Sequence, residues 1–109
     1  MPRQAPLLQG TLDLIVLQLL RSEPTNGYDL TLRIQAVSSD VLQVNAGSLY
    51  PALYRLEERG LIRAEWQETP NGRRAKVNTL TASGRRQLAE QRESWERFSG
   101  AVAAILKTT

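Results

Sequence analysis

The 109-residue sequence contains no cysteine and no histidine. Without cysteine the chain can form no disulfide and no thiolate metal site, and it has no thiol nucleophile. Without histidine it lacks the side chain that most often serves as a general base and as a metal ligand. An enzyme built on this sequence would depend on carboxylates, Lys, Ser or Tyr, and no carboxylate pair with catalytic spacing is present. We therefore expect no enzyme, no metal site and no cofactor.

Long hydrophobic runs are also missing. No apolar segment reaches the roughly 20 residues that span a bilayer, and polar and acidic residues interrupt the apolar part of the N-terminus, so no signal peptide is expected. Hydrophobic residues make up 41% of the chain, which is typical of a folded protein. Together with the lack of cysteine, these features predict a cytoplasmic protein of one domain, small enough that a partner subunit would help to stabilise it.

Positive charge is in slight excess, with 14 Lys and Arg against 11 Asp and Glu, a net charge of +3. With so small an excess, the position of the charges matters more than their sum. The acidic residues are scattered, whereas Arg73, Arg74 and Lys76 form one tight group next to the turn sequence PNG. This group is the first candidate for a surface that binds phosphate.

Two helices are predicted in the N-terminal third of the chain. The first, over residues 11–21, is apolar almost all round, which is typical of a helix buried on several sides. In so small a domain, one of those sides is expected to face another subunit. After a break marked by Pro24 and Gly27, the second helix is predicted over residues 27–37. Residues 41–44 are predicted as a short extended segment.

The third helix is predicted over residues 47–59. Leu49, Leu53 and Leu56 follow one another at i, i+4 and i+7, which places them on one helical face. Gly60 then stands where a C-terminal glycine cap is expected.

A β-hairpin is predicted to follow. Residues 61–68 alternate between apolar and polar side chains, which indicates a half-buried strand with Ile62, Ala64 and Trp66 on its inner face. After the PNG turn, residues 75–80 are predicted to return as the second strand.

A long last helix is predicted over residues 81–106, roughly 39 Å at ~1.5 Å per residue. Leu88, Trp95 and Val102 are spaced by seven residues, and Phe98 and Ile105 complete an a/d seam that Gln91 interrupts. The helix is longer than the small core can cover, so the remaining seam predicts a two-fold dimer. The predicted dimer interface consists of Leu12, Ile15, Leu19, Leu88, Trp95, Phe98, Val102 and Ile105.

The order helix, helix, helix, hairpin is that of a winged helix-turn-helix. We therefore expect a mainly α fold with a small β-hairpin, in which residues 1–80 form a DNA-binding region and residues 81–109 a C-terminal dimerisation helix of the same compact unit. In this architecture the third helix enters the DNA major groove, and the hairpin, or wing, lies along the backbone or minor groove.

The surface that contacts DNA is predicted on the side of the third helix opposite its leucines, mainly in the N-terminal turns that usually approach base edges. Hydroxyl groups and flat rings there can contact phosphates, base edges or thymine methyls. The predicted DNA-binding residues are Ser48, Tyr50, Pro51, Tyr54 and Arg55 in the helix and Arg73, Arg74 and Lys76 in the wing. Alternatively, either tyrosine only covers the hairpin, Pro51 only starts the helix, and the wing is an ordinary solvated turn. Glu57 and Glu58 are expected to lie away from the DNA.

The chain resembles the PadR family of bacterial transcriptional regulators. The segments LLQGTLDLIVLQLL, NGYDL, GSLYPALYRLEERGLI, NGRRAK and LTASGRRQL carry the resemblance, in family order from Leu7 to Leu88. The single helix after the wing is similar to the short-tailed branch of the family. The resemblance implies a homodimeric repressor on a palindromic operator in double-stranded DNA, dimerised by the first and last helices. One departure is that Val77 and Asn78 stand where the family usually carries aromatic residues.

Some members of this family bind flat aromatic drugs between tryptophans of the last helix. The resemblance therefore implies Trp95 as a candidate residue for binding a small aromatic effector, although it could simply be a residue of the dimer seam. A second hypothesis for the whole chain is a winged-helix module that binds proteins and not DNA.

Overall fold

Four helices and one three-stranded antiparallel sheet make up residues 9–108, the part of the chain that the computed structural model describes. The elements are α1 (Gln9–Ser22), β1 (Thr25–Asn26), α2 (Gly27–Val37), α3 (Ala46–Glu58), β2 (Ile62–Glu68), β3 (Arg74–Leu80) and α4 (Ala82–Leu106). Residues 1–8 and 109 lie outside the described residues. They include the start of the predicted DNA-binding region, the end of the predicted dimerisation helix, and Leu7 and Leu8 of the first segment that resembles the PadR family. The prediction of a mainly α winged helix-turn-helix with a long last helix is confirmed.

The sheet contains a strand that the sequence did not predict. β1 pairs antiparallel with β3, with Thr25 opposite Asn78, so that the strand order is β1-β3-β2. Residues 41–44, predicted as a short extended segment, join no strand of this sheet. Instead, the side chains of Leu42 and Val44 pack against the core from a loop.

The core lies between α1, α2, α3 and the base of the hairpin. Leu49, Leu53 and Leu56 are all buried, which confirms the predicted inner face of α3. They pack in one cluster with buried residues of α1 and α2, among them Leu17 and Leu30. Burial of side chains of this size contributes roughly 1.5–3 kcal/mol each, so this face determines how α3 lies on the domain.

Two residues of the predicted dimer interface belong to this same core. Leu12 is 4% exposed and Leu88 is 2% exposed within a single chain. Both side chains are buried within the subunit, so almost none of their surface is accessible to a second chain.

A buried asparagine attaches the wing to the chain before α2. Asn78 is 4% exposed, and its Nδ2 donates to the backbone carbonyl oxygen of Thr25 at 3.1 Å. The Thr25 hydroxyl in turn accepts from Arg33 Nη1 at 3.1 Å. Asn78, one of the two residues that depart from the family pattern, thus joins β3 to β1 by a polar contact.

Only part of the predicted inner face of β2 is buried. Ile62 is buried and Ala64 is half-buried, but Trp66 is 61% exposed. Trp66 shares the face of Ile62 and Ala64, as the alternation predicts, but this face is not buried at Trp66, because the hairpin continues past the edge of the core.

The start of α4 is held closely against the end of α3. The Thr81 hydroxyl caps α4 by accepting from the Gly84 N–H at 3.0 Å, and it donates to the Gly60 carbonyl at 2.7 Å. Gly60 has a φ of +73°, as expected for a glycine cap. A Cβ at Gly84 would clash with the backbone carbonyl oxygen of Leu61 and lie 2.6 Å from Leu80 Cδ1. Only glycine fits at position 84.

We expect Gly84→Ala to lower the free energy of unfolding by about 1–3 kcal/mol, because the added methyl group meets backbone that cannot move aside. The matched control is Gly100→Ala in the same helix, where a Cβ meets nothing within 4 Å. That change should raise stability by up to about 1 kcal/mol through helix propensity. Urea unfolding of both variants measures the difference, and equal effects of the two would contradict the close packing at Gly84.

Candidate nucleic-acid interface

Helix α3 begins with a side-chain cap and contains a proline. Asn45 Oδ1 accepts from the Ser48 N–H at 2.9 Å, which satisfies one of the free donors of the first turn. Pro51 lies inside the helix, beyond that first turn. Since proline has no N–H, the Gly47 carbonyl receives no helical hydrogen bond from position 51.

Ser48, Pro51 and Tyr54 are exposed on the side of α3 opposite the leucines, where the sequence placed them. Tyr54 is the most exposed aromatic residue of this helix, at 64%. The neighbouring Glu58 carboxylate, as a hydrogen-bond acceptor and as a negative charge, raises the pKa of the Tyr54 phenol. Glu58, which the sequence placed away from the interface, therefore contacts one of its central residues.

Tyr50 lies on the flank of α3 and packs against the first residue of α2. A Cβ added to Gly27 would lie 2.7 Å from Tyr50 Cε1, so the hydroxyl end of the ring lies against the glycine. Half of Tyr50 remains exposed. Its ring thus contacts α2 on one side and remains open on the other.

Arg55 does not share the exposed side of Ser48, Pro51 and Tyr54. It is half-buried, and its Nη2 lies 3.5 Å from Oδ1 of Asp13 in α1. The prediction that Arg55 lies on the outward side of α3 was wrong. The physical reason is the buried carboxylate of the neighbouring helix, which attracts the guanidinium inward.

Asp13 is an acidic residue in an otherwise apolar helix, and it is 9% exposed. Burial raises the pKa of this carboxyl from its ordinary value of 3.8, while the charges of Arg55 and Arg59 oppose that rise without cancelling it. The ion pair of Asp13 and Arg55 thus connects α1, which packs in the core, with α3, which presents the candidate interface.

The wing presents its basic residues in the open. Arg73, Arg74 and Lys76 are exposed. The turn before them is held by hydrogen bonds from the Thr69 N–H and hydroxyl to the Arg73 carbonyl at 2.6 and 2.8 Å. Gly72 has a φ of +83°, which a glycine adopts without strain. A short, well-bonded turn therefore carries three cations into solvent.

A cleft of about 770 Å³ separates the wing from α2 and α3. Tyr28 and Trp66, which the sequence analysis did not assign to the interface, line it together with Tyr50 and the three basic residues. Two signals in the sequence could have found them. Tyr28 follows the helix-starting Asn-Gly pair, and Trp66 is the last large residue of the alternating strand.

The seam of α4 is largely exposed in the single chain. Trp95, Phe98, Val102 and Ile105 all have a third or more of their surface open. The rings of Trp95 and Phe98 lie 6.3 Å apart between centroids, and both line a cavity of about 440 Å³ between α1 and α4. Ile15 and Leu19 line a second, apolar cavity of about 400 Å³ between α1 and α2.

Within the part of the chain that the structure describes, no helix is long and apolar enough to cross a membrane. The same residues contain no group of three or more acidic side chains placed to hold a metal ion.

Three helices followed by a basic wing define a winged helix-turn-helix protein with a candidate DNA-binding surface. The model of the Transcriptional regulator PadR-like family matches residues 16–90. The chain belongs to that family. Its membership supports the function of a DNA-binding transcriptional regulator. The resemblance that the sequence indicated is confirmed.

Solved structures and a curated relative agree with this assignment. A PadR-like transcriptional regulator from Bacillus cereus is 28% identical, with a TM-score of 0.83 over 94% of this chain and 97% of that one. A PadR family transcriptional regulator from Eggerthella lenta is 33% identical, with a TM-score of 0.75 over 93% and 86%. Transcriptional regulator Rv3488 of Mycobacterium tuberculosis is 38% identical over 68 residues, which are 62% of this chain and 63% of that protein.

The raised pKa of Asp13 predicts a pH-dependent stability. A native pKa above the unfolded value means that the folded chain binds the proton more readily. Relative to Asp13→Asn, the wild type should therefore gain stability as the pH falls through the native pKa, and the gain should be complete below 3.8. Urea unfolding across this range measures it.

The control for this experiment is Arg55→Met, which removes the nearest cation and keeps a long side chain. Without that charge the pKa of Asp13 should rise further, so the gain should begin at a higher pH. A stability difference between wild type and Asp13→Asn that stays constant, or that grows as the pH rises, would contradict the assignment.

Proposed function

We propose that this protein is a homodimeric repressor that binds a palindromic operator. One observation carries the proposal: the exposed side of α3 lies beside a wing whose basic residues are all open. Ser48, Pro51 and Tyr54 would face the major groove, with Tyr50 as a flanking contact. Arg73, Arg74 and Lys76 would neutralise phosphates next to it.

The contribution of each part follows from its chemistry. Hydroxyl groups and flat rings on α3 can distinguish base pairs by their edges and methyl groups. The wing cations bind phosphate in any sequence, so they would supply affinity and register. Glu58 would keep the Tyr54 hydroxyl in a defined direction. Arg55, which lies against Asp13, would make no contact in the groove.

Dimerisation is proposed through the exposed part of the α4 seam and the apolar side of α1. Trp95, Phe98, Val102 and Ile105 are exposed apolar side chains along one helix, and a contiguous exposed apolar patch is typical of a protein–protein interface. The apolar cavity beside Ile15 and Leu19 offers a surface of matching character. Residues 1–80 would then bind DNA and residues 81–109 would pair the subunits. Two recognition helices would reach half-sites about 34–36 Å apart.

An aromatic effector is proposed to act at Trp95. The indole stands beside Phe98 at the cavity between α1 and α4, and a planar molecule could stack there. Binding at this place would change how α4 packs and thereby the spacing of the two recognition helices.

The DNA-binding proposal predicts a specific site with a steep salt dependence. We expect the protein to bind the promoter upstream of its own gene more tightly than unrelated duplexes. The double variant Arg73→Ala/Arg74→Ala should weaken binding to every duplex, because its contacts are with phosphate. It should also lower the slope of log K against log salt by about 1.8, at ~0.9 per phosphate contact. Fluorescence anisotropy across a salt series measures both quantities.

The matched control removes the same charge from α4, in the variant Arg86→Ala/Arg97→Ala. It should leave the slope close to that of the wild type. Equal affinity of the wild type for all duplexes would reject the repressor. Wild-type function in cells with the wing cations removed would support the alternative, a winged-helix module that binds proteins.

The dimer proposal predicts a concentration-dependent assembly. The wild type should sediment as a dimer at micromolar concentration, and Trp95→Ala/Phe98→Ala should shift it towards monomer, because large aromatic residues dominate interface burial. Arg97→Ala, an exposed residue of the same helix with a surface ion pair to Glu93, serves as the control and should remain dimeric. A wild type that is a stable monomer would contradict the proposed seam.

A further inference from the structure

We propose that Trp66 is a positioning residue for DNA binding: its indole holds the Arg74 guanidinium on the cleft side of the wing, where that guanidinium receives the sugar–phosphate backbone of the operator. This inference rests on the proposed function and extends it to a residue outside the recognition helix.

The position of Trp66 on the hairpin is the first observation. Side chains of a strand alternate between two faces, so Ile62, Ala64 and Trp66 share one face of β2. At the base of the hairpin this face covers the core, where Ile62 and Leu80 are buried. At Trp66 the core has ended. A large aromatic residue therefore continues the inner face over open space, although it has no core left to cover.

The register of the hairpin brings the basic residues to that same face. Trp66 pairs directly with Lys76, and Arg74 lies two residues before Lys76, at the start of β3 and diagonal to Trp66. The Arg74 guanidinium carbon lies 5.8 Å from the centre of the indole ring, within the range of a cation–π interaction. The contact limits a side chain that would otherwise rotate freely in solvent, so Arg74 is kept on the face that looks towards α2 and α3.

The opposite wall of the cleft is built from aromatic rings and glycine. The hydroxyl end of the Tyr50 ring lies against Gly27, and Tyr28 follows on the first turn of α2. These groups give a smooth wall that a deoxyribose ring can contact.

The charge of the cleft favours an anion. Arg73, Arg74 and Lys76 line it, against a single acidic residue, Asp29. The carboxylate of Asp29 accepts from Asn26 Nδ2 at 3.0 Å, so part of its hydrogen-bonding capacity is already used within its own turn. The cleft borders α3 at Tyr50, on the flank of that helix. A strand whose bases meet α3 would continue into it with its phosphates towards the wing.

A double-mutant cycle tests whether Trp66 acts through Arg74. The probe is a duplex of the promoter upstream of the gene, titrated against wild type, Trp66→Leu, Arg74→Ala and the combined variant. We expect Trp66→Leu to weaken binding about 3- to 5-fold in the wild-type background. In the Arg74→Ala background the same change should have almost no further effect. Trp66→Leu should also lower the salt slope, by less than the ~0.9 lost with Arg74→Ala.

Trp66→Phe is the conservative control, and it keeps the test decisive if the leucine variant folds poorly. Phenylalanine holds a cation less well than tryptophan, so its affinity should fall between those of wild type and Trp66→Leu. The phenylalanine change, too, should lose its effect once Arg74 is alanine. Thermal unfolding of each variant checks that the fold is retained.

Three results would overturn the inference. Unchanged affinity in Trp66→Leu and Trp66→Phe would show that the indole is not needed. Losses that multiply independently of Arg74 would show that Trp66 acts on DNA by itself or only supports the hairpin. In both cases the repressor proposal would stand, provided that the wild type still prefers its promoter. A wild type without that preference would reject both proposals.

Discussion

The packing of the leucine face of α3 into the core is the contact on which the rest of the candidate interface depends. Leu49 and Leu56 have no exposed surface, so the rotation of the helix about its axis is determined by apolar burial. With 3.6 residues per turn, the positions on the side of the helix opposite the leucines must then point outward. Tyr54 and Pro51 are therefore exposed as a consequence of core packing.

Two further contacts attach the neighbouring parts to this helix. At its C-terminal end, Gly60, Thr81 and Gly84 bring the start of α4 so close that the wing must leave the core at a defined place. On its side, Arg55 reaches Asp13 of α1. This ion pair therefore couples the position of α1, which the dimer proposal places near a subunit boundary, to the helix that presents the candidate interface.

Local patterns predicted the elements well and the surroundings of individual residues less well. The leucine spacing, the glycine cap at Gly60 and the alternation of β2 gave correct elements, because periodicity and caps depend on near neighbours in sequence. Trp66 and Arg55 were misplaced for the opposite reason. The exposure of Trp66 depends on where the core ends, and the direction of Arg55 depends on a carboxylate 42 positions earlier in the chain.

The sequence by itself determined the class of fold and the residues of α3 and the wing that stand open, since hydrophobic periodicity and turn chemistry are local properties. Only the tertiary structure decided that β1 pairs with β3 and that Leu12 and Leu88 are buried inside the subunit. It also decided that Trp66, Tyr28 and Arg74 line the same cleft. Those features arise where distant segments meet. Burial and charge there depend on the packed arrangement, which no single stretch of sequence contains.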